Sequence, residues 1–182
     1  MHYLDHQIIE FITKEHYSKK NQSSSKNLDI FFGYIPLSSE HGKRRTLTKI
    51  GNDFNISSES VRQTINNYCQ LIKKDKNISD LLQKIIHELN QLCPTTIEYA
   101  NSHLMELGLI KGPNIESIIT ISQKIYENNS IKIVRPLGAI ENKSTDDFTS
   151  LIHSYLNREV VHNGVSNLNQ MMDRFGDVVY SR

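Results

Sequence analysis

Apolar residues recur at helical spacing along most of the chain, and this pattern predicts a mainly α-helical protein. In residues 3–18, Leu4, Ile8 and Ile12 fall four residues apart, as they would on one face of a helix. The polar residues that follow contain three consecutive serines and are typical of a linker. Residues 1–25 are therefore predicted to form an N-terminal helix and a linker.

The clearest helical pattern lies at about residues 46–68. Leu47, Ile50 and Phe54 are spaced i, i+3, i+7, which places them on one face of a helix. Residues 55–57, with the sequence Asn-Ile-Ser, then interrupt the pattern at a point where a short turn fits. A second helix is predicted to follow at once.

Ser57 is a natural N-cap for this second helix, because its hydroxyl can accept a hydrogen bond from a backbone N–H of the first turn. Val61 and Ile65 recur four residues apart and Tyr68 closes the same face, which we expect to be buried. Two short helices joined by a three-residue turn form a helix-turn-helix, whose second helix can lie in the major groove of DNA. The residues expected to point outward are Ser58, Glu59, Arg62 and Gln63.

The same spacing returns in two later segments, which indicates a repeated unit. The first of these segments has a preceding helix predicted over residues 78–92 and a following helix from Ile115. The second lies near the C-terminus. The apolar positions are Ile97, Ala100 and Leu104 in one segment, and Leu168, Met171 and Phe175 in the other.

The segment from Ile131 to Val134 is β-branched and is the only convincing strand, which would form the wing of a winged helix. We therefore predict a mainly α fold of tandem helix-turn-helix or winged-helix units with one short β wing. The predicted division is 1–25 for the N-terminal helix and linker, 26–75 for the first helix-turn-helix, 76–140 for a second trihelical or winged-helix unit, and 141–182 for the start of a third.

The third unit is expected to be incomplete. Its leading helix is predicted at about residues 146–161 and its next helix near Ser166, but the chain reaches Arg182 where a recognition helix should begin. We expect the 182 residues to be a fragment of a longer protein. A catalytic domain beyond Arg182 would not be visible in this sequence.

The overall charge gives no sign of a nucleic-acid partner. The chain has 21 Lys and Arg residues against 20 Asp and Glu residues, a net charge of +1, so a DNA-binding surface has to be a local patch. The candidates are residues 43–45, just before the helix-turn-helix, and the lysines within 73–76. No apolar run approaches the roughly 20 residues that span a bilayer, and no signal peptide is recognisable. We expect a cytoplasmic protein with no membrane contact.

The chain carries no recognisable catalytic or metal-binding pattern. Cys69 and Cys93 have no paired metal-ligand spacing, and histidines such as His153 and His162 have no orienting partner in sequence. The carboxylates at 146–147 fit helix capping better than catalysis. We therefore expect no metal, no cofactor and no enzymatic activity.

Residues 46–63, with the sequence TLTKIGNDFNISSESVRQ, closely resemble region 4 of the sigma-70 family of transcription factors. That family typically has Thr-Leu, two polar residues, Ile-Gly, a polar pair, Phe or Leu, a turn, and then a Val-Arg-Gln helix. Both ends of this pattern are present here with the spacing intact. Residues 28–34 (LDIFFGY) are similar to the helix that precedes the motif in the family, so the resemblance covers about residues 26–70.

The resemblance implies a double-stranded DNA partner. Arg62 and Gln63 would face bases or phosphates, and Glu59 would accept a hydrogen bond from cytosine, which agrees with the base-edge chemistry of these side chains. Thr46 would touch phosphate, and residues 43–45 would lie beside the DNA backbone. The predicted DNA-binding residues are Lys43, Arg44, Arg45, Thr46, Ser57, Ser58, Glu59, Ser60, Arg62 and Gln63.

This chain departs from the family at the start of the recognition helix. The family commonly has Arg-Glu-Arg there, whereas residues 58–60 are Ser-Glu-Ser, with two positive charges fewer. We therefore expect low affinity from this helix alone and no ordinary promoter preference. The tandem layout implies that several weak units add up along one duplex.

We predict a sequence-specific double-stranded DNA-binding module, with residues 58–68 in the major groove. It would be a transcription regulator or the DNA-recognition part of a larger bacterial or phage protein. The alternative is a protein-interaction module that docks on RNA polymerase or another partner, supported by the near-neutral charge and by the serines at 58 and 60. The DNA target, the oligomeric state and DNA contact by the second and third units stay open.

Overall fold

A computed structural model describes residues 3–18, 25–126, 131–134 and 139–142 of the chain. The helices are α1 Leu4–Ser18, α2 Lys26–Tyr34, α3 Leu47–Phe54, α4 Ser58–Lys74, α5 Lys76–Leu92, α6 Ile97–Glu106 and α7 Ile115–Ile125, with a short 3₁₀ turn at Ser39–His41. The strands are β1 Thr95–Thr96, β2 Lys132–Val134 and β3 Ala139–Glu141. The predicted fold class, mainly α with one short β wing, is confirmed.

The helix-turn-helix is formed by α3 and α4, where the apolar spacing placed it. Val61 and Ile65 on α4 are completely buried, and Ile50 on α3 packs in the same core. The second helix does not end near Tyr68, as predicted, but continues to Lys74. Its C-terminal half therefore serves as a packing surface for neighbouring helices.

Residues 76–142 add a helix, a strand, two helices and two strands, in the order α5, β1, α6, α7, β2, β3. The strands form one antiparallel sheet with β3 in the middle, where Ala139 pairs with Thr96 on one side and with Val134 on the other. Thr96, one of the two predicted caps, is the N-cap of α6. This small sheet is the short β part of the mainly helical fold.

One continuous hydrophobic core joins all seven helices of the described chain. It extends from Leu4 on α1 to Ile140 on β3. The long helix α4 lies at its centre and packs against α1, α2, α3, α5 and α7. The predicted units 26–75 and 76–140 therefore contribute side chains to the same core.

The N-terminal helix is held to the rest of the molecule by a buried carboxylate. Asp5 is only 3% exposed. Its side-chain oxygens accept hydrogen bonds from Lys111 N at 3.0 Å, Gly112 N at 3.2 Å and Asn114 Nδ2 at 2.8 Å. These donors satisfy the acceptor capacity of the buried carboxylate. These bonds join α1 to the loop between α6 and α7.

Two of the sequence-based predictions lie outside the described residues. They are the linker over residues 19–24 and the third unit from residue 143 onwards, which includes the carboxylates at 146–147. Within the described ranges, no helix is long and apolar enough to cross a membrane.

Candidate nucleic-acid interface

The turn between α3 and α4 depends on Asn55, which adopts a left-handed backbone conformation, and on Gly51, which has no side chain. Asn55 ends α3 in the left-handed region, with φ of 53° and ψ of 50°, which Asn adopts more readily than most residues. Ile56 N then donates a hydrogen bond to Gly51 O at 2.9 Å. A Cβ at Gly51 would lie 2.7 Å from Ile56 O, so only glycine lets the turn pass this close to α3.

Both helices of the motif begin at a hydroxyl cap. Thr46 Oγ1 accepts a hydrogen bond from Lys49 N at 3.2 Å, and Ser57 Oγ accepts one from Ser60 N at 3.1 Å. Each bond satisfies a backbone N–H that has no partner within its helix. Thr46 and Ser57, predicted to contact DNA, therefore also hold the motif together.

The N-terminal two turns of α4, residues 58–63, form a solvent-facing surface that we call the α4 tip. Its side chains are polar or charged, apart from Val61, which points into the core. Because Val61 faces the core, a ligand can reach only the opposite, polar face of α4. The exposed members of the tip are Ser58, Glu59, Ser60, Arg62 and Gln63, all of which were predicted to bind DNA.

Arg62 and Glu59 form a two-point ion pair on the α4 tip. Arg62 Nε lies 2.9 Å from Glu59 Oε2, and Arg62 Nη2 lies 2.9 Å from Glu59 Oε1. The hydrogen bonds from Arg62 lower the pKa of Glu59, and those to Glu59 raise the pKa of Arg62. Both side chains are more than half exposed, so the pair is solvated and easily exchanged for other partners.

The Arg45 side chain forms hydrogen bonds with other residues of the same chain. Its Nη1 is 3.0 Å from Asp53 Oδ2, and its Nη2 donates to Asp29 O at 3.1 Å. The guanidinium lies against Gly33, at a point where a Cβ would overlap it. Arg45 thereby ties α2 to α3, and a phosphate contact would have to compete with these bonds.

Arg44 and Lys43 are both exposed. The Arg44 guanidinium stands over the Tyr34 ring, 4.4 Å from its centroid, and Nη1 donates to Thr120 Oγ1 at 3.2 Å. Arg44 therefore bridges the first helix-turn-helix to α7 while it remains accessible. The three consecutive basic residues thus face different surroundings, which their adjacency in sequence did not predict.

The helix α7 occupies the recognition-helix position of the second unit, but it is buried. Eight of its eleven residues are buried, and it packs against α4, α5 and α6. Asn101 Oδ1 accepts a hydrogen bond from Ile115 N at 3.1 Å, which covers the start of the helix as well. Only Glu116, Gln123 and Lys124 of α7 are at least partly exposed, so this helix presents a smaller accessible surface than the α4 tip. The expectation that several units add up along one duplex stays a prediction.

Comparison with known proteins adds no information on the family or function of this chain. No family model matches this chain, and no curated protein or solved structure is significantly similar to it. The resemblance of residues 26–70 to sigma-70 region 4 stays a prediction, based on the motif alone.

Side chains of metal-ligating types occur within the part of the chain that the structure describes. No group of three or more His, Cys, Asp or Glu side chains there is arranged to hold a metal ion. Cys69 is buried and Cys93 is half-buried, and both are free. The expectations of no metal and no enzymatic activity stay predictions.

Proposed function

We propose that this chain binds double-stranded DNA in a sequence-specific manner, with the α4 tip in the major groove. The observation that carries the proposal is the exposure of Glu59, Arg62 and Gln63 on one helix whose opposite face is locked in the core. A helix about 10–12 Å across fits a major groove about 12 Å wide. The turn and its caps give this helix one fixed orientation, which base reading requires.

The Glu59, Arg62 and Gln63 side chains each have a chemically matching base edge. The Arg62 guanidinium can bind guanine O6 and N7, and the Gln63 amide can bind adenine N6 and N7. A carboxylate such as Glu59 is repelled by phosphates but can accept a hydrogen bond from cytosine N4. Guanine and cytosine are therefore expected among the preferred bases.

The ion pair between Arg62 and Glu59 tunes this recognition. In the free protein Glu59 holds the guanidinium in place at 2.9 Å. On DNA, Arg62 can exchange one of its two bonds for a base edge, since the exposed pair contributes little free energy. Because Glu59 cancels one positive charge of the tip, nonspecific attraction to phosphates is weak, and base contacts carry a larger share of the affinity.

The same motif indicates a cellular setting for the proposed DNA binding. We place the chain in the cytoplasm, as a transcription regulator or as the DNA-recognition part of a larger bacterial or phage protein. The support is the likeness of residues 46–63 to a promoter-reading motif. Because most of α7 is buried, we assign base reading within the described part of the chain to the α4 tip.

The test is selection from a random duplex library, followed by titration with the selected duplex at low salt. Wild-type protein should bind, and Arg62→Ala and Gln63→Ala should each weaken binding roughly 10- to 100-fold while the thermal midpoint stays unchanged. Gln70→Ala, an exposed change farther along α4, is the matched control and should bind like the wild type. Absence of binding to any duplex at low salt would overturn the proposal.

A second function, docking on RNA polymerase or another protein, is favoured by the neutralised pair on the α4 tip. Glu59 and Arg62 satisfy one another, and serines flank Glu59, so the tip carries little net charge. Such a surface suits a polar protein interface. Recovery of a polymerase subunit from a DNA-free lysate by wild-type protein, and loss of that recovery in Arg62→Ala, would favour this alternative.

A further inference from the structure

A positively charged cleft of about 370 Å³ lies where α2, α7 and β2 meet. The residues that line it include three cations and, within the described part of the chain, no carboxylate. This local excess of positive charge is notable in a chain whose net charge is only +1. The polar and aromatic lining residues are Tyr34, Arg44, Thr120, Gln123, Lys124 and Lys132.

Two of the cations are positioned around one aromatic ring. Arg44 lies 4.4 Å from the centroid of the Tyr34 ring, and Lys124 Nζ lies 6.0 Å from it. Lys124 Nζ also donates to Asn66 Oδ1 at 3.0 Å, and Arg44 donates to Thr120. Both positive groups are thus held in place before any ligand arrives, which lowers the entropic cost of binding an anion.

The third cation comes from the wing. Lys132 lies on β2 with half of its side chain exposed, and its Nζ is 4.0 Å from Glu141 Oε2 on β3. Glu141 itself is only 1% exposed and is not among the residues that line the cleft. The cleft therefore draws its charge from both helix-turn-helix units.

The cleft adjoins the reading face of α4 through Asn66. Asn66 follows Arg62 by one helical turn, about 6 Å along the helix axis, and Lys124 is hydrogen-bonded to it. A helix that fills the major groove has a phosphate strand along each of its sides. A duplex bound to the α4 tip would therefore bring phosphates close to Lys124.

We propose that this cleft binds the sugar-phosphate backbone of the same duplex that the α4 tip reads. This inference rests on the proposed function. Its ligand is the phosphodiester group, contacted by Lys124 and Lys132 beside Arg44. Such contacts position a protein on DNA and carry no sequence information. The second unit thus contributes its wing and the C-terminal part of α7 to binding, while the buried side of α7 packs in the core.

The first experiment measures how the dissociation constant depends on salt concentration for the double variant Lys124→Gln/Lys132→Gln. Each lost phosphate contact should reduce the salt slope by about 0.9, so the double variant should lose about two units of slope. At 0.1 M salt the affinity should fall roughly 10- to 100-fold, and equally for selected and random duplexes. The control Lys14→Gln/Lys84→Gln changes one exposed lysine on α1 and one on α5, both outside the candidate basic segments, and should keep the wild-type slope.

Two further measurements keep the test informative even if the glutamine double variant misfolds. Lys124→Arg/Lys132→Arg keeps both charges and should keep the wild-type slope. In wild-type protein, DNA should protect Lys124 and Lys132 from acetylation but leave Lys84 reactive. If the lysines remain reactive in the complex, or the slope of the glutamine variant is unchanged, the cleft inference is overturned while the role of the α4 tip stands.

Two other outcomes would also overturn the inference. If single-stranded RNA protects the two lysines and duplex DNA does not, the cleft binds a different nucleic acid and the inference fails. If wild-type protein binds no duplex at all, the proposed function and the inference fall together.

Discussion

Asp5 Oδ2 and Asn114 Nδ2 are joined by a buried hydrogen bond of 2.8 Å across 109 positions of sequence. The same Asn114 amide donates a second bond to Leu37 O at 2.9 Å. One side-chain amide thus connects α1, the segment after α2 and the residue that precedes α7. These three parts of the chain can reach their native packing only together.

Asp5→Ala should therefore destabilise the protein by about 2–4 kcal/mol, since it leaves several buried N–H groups without an acceptor. The measurement is urea unfolding followed by circular dichroism. Glu10→Ala changes an exposed carboxylate on the same helix and should have little effect. Equal midpoints for Asp5→Ala and the wild type would show that Asp5 does not hold α1 in place.

Gly51→Ala should destabilise the helix-turn-helix by roughly 1–3 kcal/mol, although alanine is the better helix former. The reason is the backbone of the turn, because the added Cβ would meet Ile56 O at 2.7 Å. Thermal unfolding measures the loss. Asn52→Ala, at the exposed neighbouring position, is the control and should be neutral or slightly stabilising. A Gly51→Ala variant as stable as Asn52→Ala would contradict the close approach.

His41 should make the protein less stable in weak acid. Burial lowers the pKa of His41 below its ordinary value, and Glu40 offsets this in part. Its ring stacks on Phe32 with centroids 4.0 Å apart, and Nδ1 accepts a hydrogen bond from Leu37 N at 3.2 Å. The unfolded chain binds a proton near pH 6.5 and the folded chain resists it, so stability should fall as the pH drops below about 6.5.

The variant His41→Phe tests this pH dependence. It keeps the stacked ring and removes the titrating group, but it leaves Leu37 N without its acceptor. We expect a lower stability at neutral pH and a flatter loss between about pH 7 and 5, measured by denaturant unfolding at each pH. A slope identical to that of the wild type would exclude His41 as its source.

The two cysteines should be unreactive in the folded protein. Burial raises the pKa of Cys69 to about 12, and burial together with Glu141 raises the pKa of Cys93 to about 11. Only the thiolate attacks an aromatic disulfide reagent, so both should react slowly at about pH 8 and quickly after unfolding. Cys93, which is half-buried, should be the faster of the two. Single Cys→Ala variants assign the phases, and rapid reaction of Cys69 in native protein would contradict its burial.

Local patterns predicted the first helix-turn-helix well. The spacing of Leu47, Ile50 and Phe54 predicted α3, and Ser57 was correctly expected to cap α4. These features are decided by neighbours a few residues away, which a single sequence displays. The exposed face of the α4 tip follows from the same periodicity.

Long-range packing was not predicted, because no local pattern encodes it. The contact of Arg45 with Asp29 O and the burial of α7 both depend on segments that are distant in sequence. One signal was available for α7, where five of eleven residues are isoleucines that form one broad apolar face. The lysines of the basic cleft come from α7 and β2, and their proximity to Arg44 arises only in the folded chain.

The burial of α7 has a consequence for variation among sequences of this kind. Eight of the eleven α7 residues are buried, so random mutagenesis should find few tolerated changes at those positions. The exposed positions of the α4 tip have no such constraint, and their side chains can change while the scaffold persists. A target preference could therefore drift through a handful of surface codons without a detectable loss of folding.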